Sequence, residues 1–274
     1  MYLGIDIGGT KTLLAVFDDT GNLLERAIFS SSPDYQTFLN DLSQNIASKL
    51  SHHEFTAAAA GVPGLLDRRA GIIHVLSNLP WHDKPIRDDI AQITHCPVVV
   101  ENDSKAGALS EARLVLNQFK RVLYLTLGTG IGGGFVVNGN LEPDLPNSEF
   151  GQIIFPHDNR LMRWESFASG KAIHEKYGKK ASEIDDPAIW QVIANDLGLG
   201  VIAACAITQV EAIIFGGGVG VYFEKFAEPL RIFINQNLDP LVIKPVLLPA
   251  QHAEEAVVYG CYEIAKQLHG QVNQ

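Results

Sequence analysis

Cysteine is scarce in this chain of 274 residues, and Cys96, Cys205 and Cys261 are odd in number and far apart. That pattern favours reduced thiols over a disulfide framework, so each is expected to be a small, buried hydrophobe of a cytoplasmic protein. Positive charge is short as well: 21 Lys and Arg face 31 Asp and Glu for a formal net charge of −10, and no basic run exceeds two residues. Nucleic-acid affinity draws largely on a basic electrostatic footprint, so nucleic acid is not expected as a partner. Phosphate ligands stay open, because backbone N–H groups and a bound cation can hold them. Long apolar runs are lacking too. Stretches such as Ala57 to Leu66 and Val201 to Ile207 fall short of the roughly 18 residues of a membrane span, and no membrane association is expected. The chain enters a strand at once, without a basic segment or cleavage pattern, so no signal peptide is expected. With 46% apolar and 19% charged residues the composition is that of a globular protein, and the length suits two domains of roughly 100–150 residues.

What is present is glycine in two particular places. Val122 to Asn138 reads Val-Leu-Tyr-Leu-Thr-Leu-Gly-Thr-Gly-Ile-Gly-Gly-Gly-Phe-Val-Val-Asn, a Gly-rich turn with β-type residues on both sides. Tyr2 to Phe17 repeats the design around Gly8-Gly9-Thr10-Lys11. Glycines expose N–H groups without a Cβ in the way, and at Gly130 they are expected either to let a phosphate approach or to supply a φ > 0 conformation. Two such strand–turn–strand units argue for a nucleotide held between two lobes. A dinucleotide fingerprint fits Gly128, Gly130 and Gly133 by spacing, but that motif must close a strand and open a helix. Here Phe135-Val136-Val137-Asn138-Gly139 follows, a β run ending in a hairpin signal. A phosphate-binding P-loop fails as well, since Gly9 is followed by Thr10 and only then Lys11. Plain hairpins without a ligand are the structural alternative for either turn alone.

Along the chain, alternation predicts strands near 2–7, 12–18 and 23–29, and Pro33-Asp34 opens a helix with Tyr35, Phe38, Leu39, Leu42, Ile46 and Leu50 on one face. A small-residue strand, Thr56 to Gly64, follows, then a helix at 83–94, a strand at Pro97 to Val100 and a helix capped by Asn102 or Asp103. From Arg121 the pattern restarts, with strands near 121–127, 133–138 and 152–155, helical segments, and the strand Ala212 to Phe215 closed by Gly216-Gly217-Gly218. The expectation is an α/β chain of two related lobes, 1–117 and 118–274, with the last helix, near 253–268, a candidate to pack back on the first lobe.

The segment Val98-Val99-Val100-Glu101-Asn102-Asp103 ends a buried-looking strand in three polar residues. A carboxylate at such a strand end suits a general base, while Asn102 or Asp103 acting simply as the next helix's cap is an equal alternative. Glu149, Glu165, Asn78 and Gly61-Val-Pro-Gly64 lie at loop ends, where donors and acceptors could read a polyhydroxylated ligand.

Together the motifs are specific. Asp6-Ile-Gly-Gly-Thr-Lys11, Gly61-Val-Pro-Gly64, Asn78-Leu-Pro-Trp81, Glu101-Asn-Asp103, Leu127 to Gly134, Glu149-Phe-Gly151, Glu165 to Gly170 and Phe215-Gly-Gly-Gly218 occur in the order seen in the ROK family of bacterial sugar kinases, open reading frames and transcriptional repressors. The resemblance spans Asp6 to about Gly260. It implies the two-lobed actin, hexokinase and Hsp70 type of α/β fold (ribonuclease H-like), with ATP and sugar in a central cleft. By the same resemblance, Gly8, Gly9, Thr10 and Lys11 form the first phosphate element, and Asp6 positions Mg²⁺ through water. Gly128, Thr129 and Gly130 form the second phosphate element, and Gly216, Gly217 and Gly218 the adenosine element. Asp103 is similar to the catalytic base, while Gly64, Asn78, Asn102, Asp103, Glu149, Gln152 and Glu165 resemble the sugar-binding set.

One departure stands out. Many members carry a His and three Cys that bind structural zinc, and those positions here are Gln152, Pro156, Asp158 and Arg163. Neither proline nor arginine can ligate zinc, so no structural zinc is expected. The loop from Gln152 to Trp164 is expected to be ordered instead by Ile153, Ile154, Phe155, Leu161, Met162 and Trp164. The function implied is an ATP- and Mg²⁺-dependent hexose kinase, glucokinase-like, transferring the γ-phosphate to the sugar 6-hydroxyl. Alternatives are a kinase for N-acetylmannosamine, N-acetylglucosamine, mannose or fructose, or a polyphosphate-dependent glucokinase. From other classes come a sugar-sensing regulator and an actin- or Hsp70-like ATPase. The regulator is disfavoured because the first phosphate element begins at residue 4, ahead of which no DNA-reading helix-turn-helix is expected. The ATPase does not account for the sugar-loop residues. A homodimer is a candidate assembly.

Overall fold

Period-two alternation builds the first sheet, and the computed structural model, which describes residues 1–76, 78–252 and 254–272, shows why both of its faces are apolar. The chain forms two units, Met1–Ser110 with Val257–Gln274, and Glu111–Ala256. In the first, β1 (Tyr2–Ile7), β2 (Lys11–Phe17) and β3 (Leu23–Ser30) are antiparallel neighbours. After α1 (Tyr35–Lys49) comes β4 (Ala57–Val62), parallel to β1. Then follow the short strands β5 (Leu65–Asp67), β6 (Ile72–Val75) and β7 (His82–Lys84), which form a separate antiparallel sheet. The helix α2 (Ile86–Thr94) leads to β8 (Val98–Asn102), which pairs parallel with β4, and α3 (Asp103–Leu114) follows at once. The main sheet runs β3-β2-β1-β4-β8.

In the second unit, β9 (Arg121–Leu127), β10 (Ile131–Val137) and the two-residue β11 (Asn140–Leu141) are antiparallel. A hairpin, β12 (Ile154–His157) and β13 (Arg160–Arg163), stands as its own two-stranded sheet. The helices α4 (Glu165–Ala168), α5 (Gly170–Tyr177) and α6 (Pro187–Thr208) precede β14 (Ala212–Gly216), which is parallel to β9. After α7 (Gly217–Gly220) and α8 (Phe223–Asn237), β15 (Val246–Pro249) completes the order β11-β10-β9-β14-β15. The two main sheets thus share one plan: three antiparallel strands, then two added in parallel to the first. The final helix, α9 (Ala256–Val272), belongs from Val257 onward to the first unit.

Successive residues of the first sheet enter opposite cores, as the pleat requires. Leu3, Leu14, Val16, Ala58 and Ala60 pack with Phe38, Leu42 and Ile46 of α1 and Ile86 and Ile90 of α2. Their neighbours Tyr2, Leu13, Ala15, Ala57 and Ala59 pack with Val258, Cys261, Tyr262 and Ala265 of α9. The alanine run of β4 lets helices approach from both sides. Asp34 caps α1 by accepting from the Thr37 N–H at 2.8 Å. All three cysteines are buried free thiols.

Several expectations needed correction. The helix expected from 83 begins at Ile86, since 82–84 form β7. The strand expected at 152–155 does not extend the main sheet: Gln152 sits in a 3₁₀ turn, and β12 pairs with β13. Of the helix expected near 253–268, Ala253 lies outside the described residues, and the helix runs Ala256–Val272. One apolar run was also underestimated. By length and composition α6 could cross a membrane, but Trp190, Ile193, Leu197, Val201 and Ala204 are part of the second unit's core, which accounts for its hydropathy.

Candidate functional site

In the first unit the residues of interest gather where β1, β4 and β8 end. The β1–β2 turn is closed by the Gly8 N–H donating to the Lys11 carbonyl at 3.0 Å. The Asn78 side chain lies against Gly9 so closely that a Cβ there would collide with it. Asp6, near the end of β1, is largely enclosed, and burial pushes its carboxyl up to about 7. The negative charge of Asp103 adds to that rise and the Lys11 ammonium opposes it. Gly64, between β4 and β5, has φ +100° and faces the Val75 carbonyl, so only glycine fits there.

The hydrogen bonds at the end of β8 show which residue caps α3. Asn102, 6% exposed, accepts from the backbone N–H groups of Ser104 (3.1 Å) and Lys105 (3.3 Å) and from the Ser104 hydroxyl (2.6 Å). It is therefore Asn102 whose carbonyl caps α3. Asp103 is the first residue of α3 and remains half-buried, with its Oδ1 2.7 Å from the Ser104 nitrogen. Glu101 faces elsewhere: Arg68 donates from Nε to its two oxygens at 2.7 and 2.9 Å, and Arg68 Nη2 lies 2.6 Å from Oε1. The Asn102 N–H also donates to that carboxylate at 2.6 Å. This clamp ties the β5–β6 turn to the strand that carries Asn102 and Asp103. No sequence signal pairs Arg68 with a residue 33 positions away.

In the second unit Glu165 is the organising residue. At the start of α4, it accepts from the Gln152 amide at 2.7 Å and from the Ile131 N–H at 3.3 Å. Its Oε2 would lie 2.6 Å from a Cβ placed on Gly130. The β9–β10 turn is further fixed by the Gly128 N–H donating to the Gly130 carbonyl at 3.0 Å, and by the Gly170 N–H donating to the Gly128 carbonyl at 2.8 Å. The φ of Gly130 is not positive, so of its two expected reasons for being glycine the conformational one falls, and what fills the space beside it is the Glu165 carboxylate. Thr129 is exposed at the tip of this turn. Glu149 is exposed where the 3₁₀ turn Phe150–Gln152 begins. Gly217 has φ +77° and packs against Thr126 and Leu127, Gly216 packs against the Tyr124 ring, and Gly218 faces open space.

The hairpin β12–β13 and the residues that follow it are packed through several contacts. Trp164 is fully buried and its indole N–H donates to the Asp196 carbonyl at 3.0 Å. His157 stacks on Phe167 with centroids 4.1 Å apart, and its Nε2 lies 3.2 Å from Asp196 Oδ1. Ile153, Phe155 and Met162 pack against the core as expected. Ile154 and Leu161 do not: they are 60% and 75% exposed, because strand alternation turns them outward.

The ROK family model matches residues 2–268. An N-acetyl-D-glucosamine kinase of Salmonella paratyphi B is 33% identical over 296 residues, covering 95% of this chain and 97% of that protein. A ROK family glucokinase from Streptomyces griseus, solved in complex with glucose and AMPPNP, is 26% identical with a TM-score of 0.83, over 97% of this chain and 99% of that one. An inorganic polyphosphate/ATP-glucomannokinase from an Arthrobacter strain is also 26% identical, with a TM-score of 0.72 over 97% and 98% of the two chains. The α/β fold of the actin and hexokinase type is the fold of this chain.

Proposed function

Since the chain belongs to the ROK family, we propose that it is an ATP-dependent hexose kinase, glucokinase-like, with Asp103 as the catalytic base. The observation that supports this reading is the arrangement at the end of β8: Asn102 supplies the side-chain cap of α3, and a second, half-buried carboxylate, Asp103, stands beside it as the first residue of the helix. In the reaction the sugar 6-hydroxyl gives its proton to Asp103 as its oxygen bonds to the γ-phosphorus. The bond from that phosphorus to the bridging oxygen breaks, releasing ADP and the sugar 6-phosphate. Such a transfer is mainly positioning and charge neutralisation. Gly8, Gly9, Thr10 and Lys11 are the phosphate-holding element of the first unit, Gly128, Thr129 and Gly130 that of the second, and Gly216, Gly217 and Gly218 the adenosine element. Gly64, Asn78, Asn102, Glu149, Gln152 and Glu165 read the sugar hydroxyls.

Mg²⁺ fits Asp6. A carboxyl that burial and a second carboxylate hold near pH 7 is returned to its charged form by a nearby divalent cation, which would neutralise the phosphates. The hairpin β12–β13 is proposed to need no zinc, because Trp164, His157 and Asp196 order it. The units Met1–Ser110 with Val257–Gln274, and Glu111–Ala256, are proposed as the functional domains. A cytoplasmic location suits the three free thiols, and no nucleic acid is proposed as partner; a homodimer is the proposed assembly.

The 33% identity to an N-acetylglucosamine kinase supports a second reading, in which the acceptor is an N-acetylated hexosamine. A coupled phosphorylation assay over glucose, mannose, fructose, N-acetylglucosamine and N-acetylmannosamine, each with ATP and with polyphosphate, decides among them. Turnover highest with glucose and ATP is the expected result. No turnover with any pair, in protein that binds sugar, would replace the kinase with a sugar-sensing role.

A further inference from the structure

At the opposite edge of the first sheet from β8 lies a cluster that the kinase reading does not use. Glu25, on β3, points a carboxylate oxygen at two adjacent imidazoles just beyond α1. His52 Nε2 and His53 Nε2 each lie 3.0 Å from the same atom, Glu25 Oε2. The two rings stack at 4.1 Å, tilted by 41°. All three ligand atoms fall within 4.8 Å of one another.

The backbone holds this arrangement in place. Leu50, fully buried, ends α1 through its N–H bond to the Ile46 carbonyl, and the His53 N–H donates back to the Leu50 carbonyl at 3.0 Å. Glu25 is fixed by pairing with Val16 across β2 and β3. The side chain of His53 is 13% exposed, that of Glu25 34% and that of His52 62%. The cluster is therefore partly desolvated on one side and open on the other.

We propose that Glu25, His52 and His53 form a binding site for a divalent transition-metal ion of the Zn²⁺ class, with solvent completing its shell. Zinc takes His nitrogen and carboxylate oxygen at about 2.0–2.2 Å in tetrahedral array, which sets ligand atoms about 3.3 Å apart. The observed nitrogen-to-oxygen separations of 3.0 Å lie within a few tenths of an ångström of that spacing, and all three ligand atoms lie within 4.8 Å of one another. The ion would be bound through the Nε2 lone pairs of the two imidazoles, each keeping its ring proton on Nδ1, and through the Glu25 carboxylate. Three protein ligands with an open side match a site that exchanges its ion, and the ion would tie the end of α1 to edge strand β3. This inference does not depend on the kinase reading, and it concerns residues remote in sequence from Gln152 to Arg163.

The test is calorimetric titration of chelator-treated, full-length protein with ZnCl₂, with visible absorption of the Co²⁺ form as a second readout. One saturable equivalent is expected, with the intense visible bands of tetrahedral Co²⁺. Glu25→Gln and His53→Gln should each weaken it at least tenfold. Glutamine at 53 keeps an N–H donor for Glu25 but is a poor metal ligand, so the fold, checked by thermal unfolding without metal, is retained. No saturable binding by the wild type, or binding undiminished in a His52→Gln, His53→Gln double variant, overturns the proposal.

Discussion

Asp6→Asn should stabilise the ligand-free protein at alkaline pH while abolishing its activity. Asp6 sits near the end of β1, enclosed and facing Asp103, with the Lys11 ammonium and the Cys261 thiol as its other titratable neighbours. Its carboxyl is raised from 3.8 to about 7. At about 1.4 kcal/mol for each tenfold change in proton affinity, keeping it ionised costs the folded state about 4 kcal/mol. That figure is an upper bound because Asp6 retains some solvent contact. The sign follows from the direction of the shift. A folded-state value above the unfolded one gives stability that is full below pH 3.8 and is lost as pH rises through about 7. Asparagine has nearly the same shape and no such titration. Urea unfolding of both proteins without ligands should therefore give similar stabilities near pH 3.5, and an advantage of about 2–4 kcal/mol for the variant at pH 8. Adding Mg²⁺ and nucleotide should narrow the gap, since the cation favours the charged wild-type carboxylate. A variant no more stable than wild type at pH 8, or a difference independent of pH, would refute the argument that Asp6 is held against its own charge for function.

Three further outcomes are expected. Gly130→Ala places a Cβ 2.6 Å from Glu165 Oε2, so calorimetry should show sugar affinity falling along with nucleotide affinity; intact sugar binding would separate Glu165 from the sugar set. Arg68→Met leaves Glu101, whose side chain is 12% exposed, without its bidentate partner. It should cost about 1–3 kcal/mol in denaturant unfolding, and Glu101→Gln added to it should recover part of that loss, whereas strict additivity would deny the coupling. Stripping metal with a strong chelator and resupplying Mg²⁺ should leave turnover unchanged, because the hairpin is ordered by Trp164 and the His157–Asp196 pair; activity lost until zinc is restored, in the His52→Gln, His53→Gln double variant as in the wild type, would place ligands in that hairpin.

What was legible in the sequence was what local periodicity and glycine encode. The alternating runs Tyr2 to Phe17 and Val122 to Asn138 declared both strand–turn–strand units, and Pro33-Asp34 announced α1. The strands β5, β6 and β7 were missed because three or four residues carry too little alternation to register. The β12–β13 hairpin did leave a signal: Asp158 and Asn159 both have positive φ, the pair of residues that a type I′ turn prefers. The Gln152–Glu165 hydrogen bond and the Arg68–Glu101 clamp were invisible, since they join residues 13 and 33 positions apart through tertiary packing alone. Spacing left open whether Asn102 or Asp103 capped α3, and only the hydrogen bonds of Asn102 resolve it.

The central claim, that Asp103 accepts the proton of the attacking hydroxyl, is tested most directly by steady-state kinetics and sugar titration of Asp103→Asn. Asparagine retains an acceptor for the Ser104 N–H but cannot take a proton. Turnover should fall by roughly 10²–10⁴-fold while sugar affinity and folding stability change little. Near-normal turnover in the folded variant would contradict the account and remove Asp103 from the chemistry.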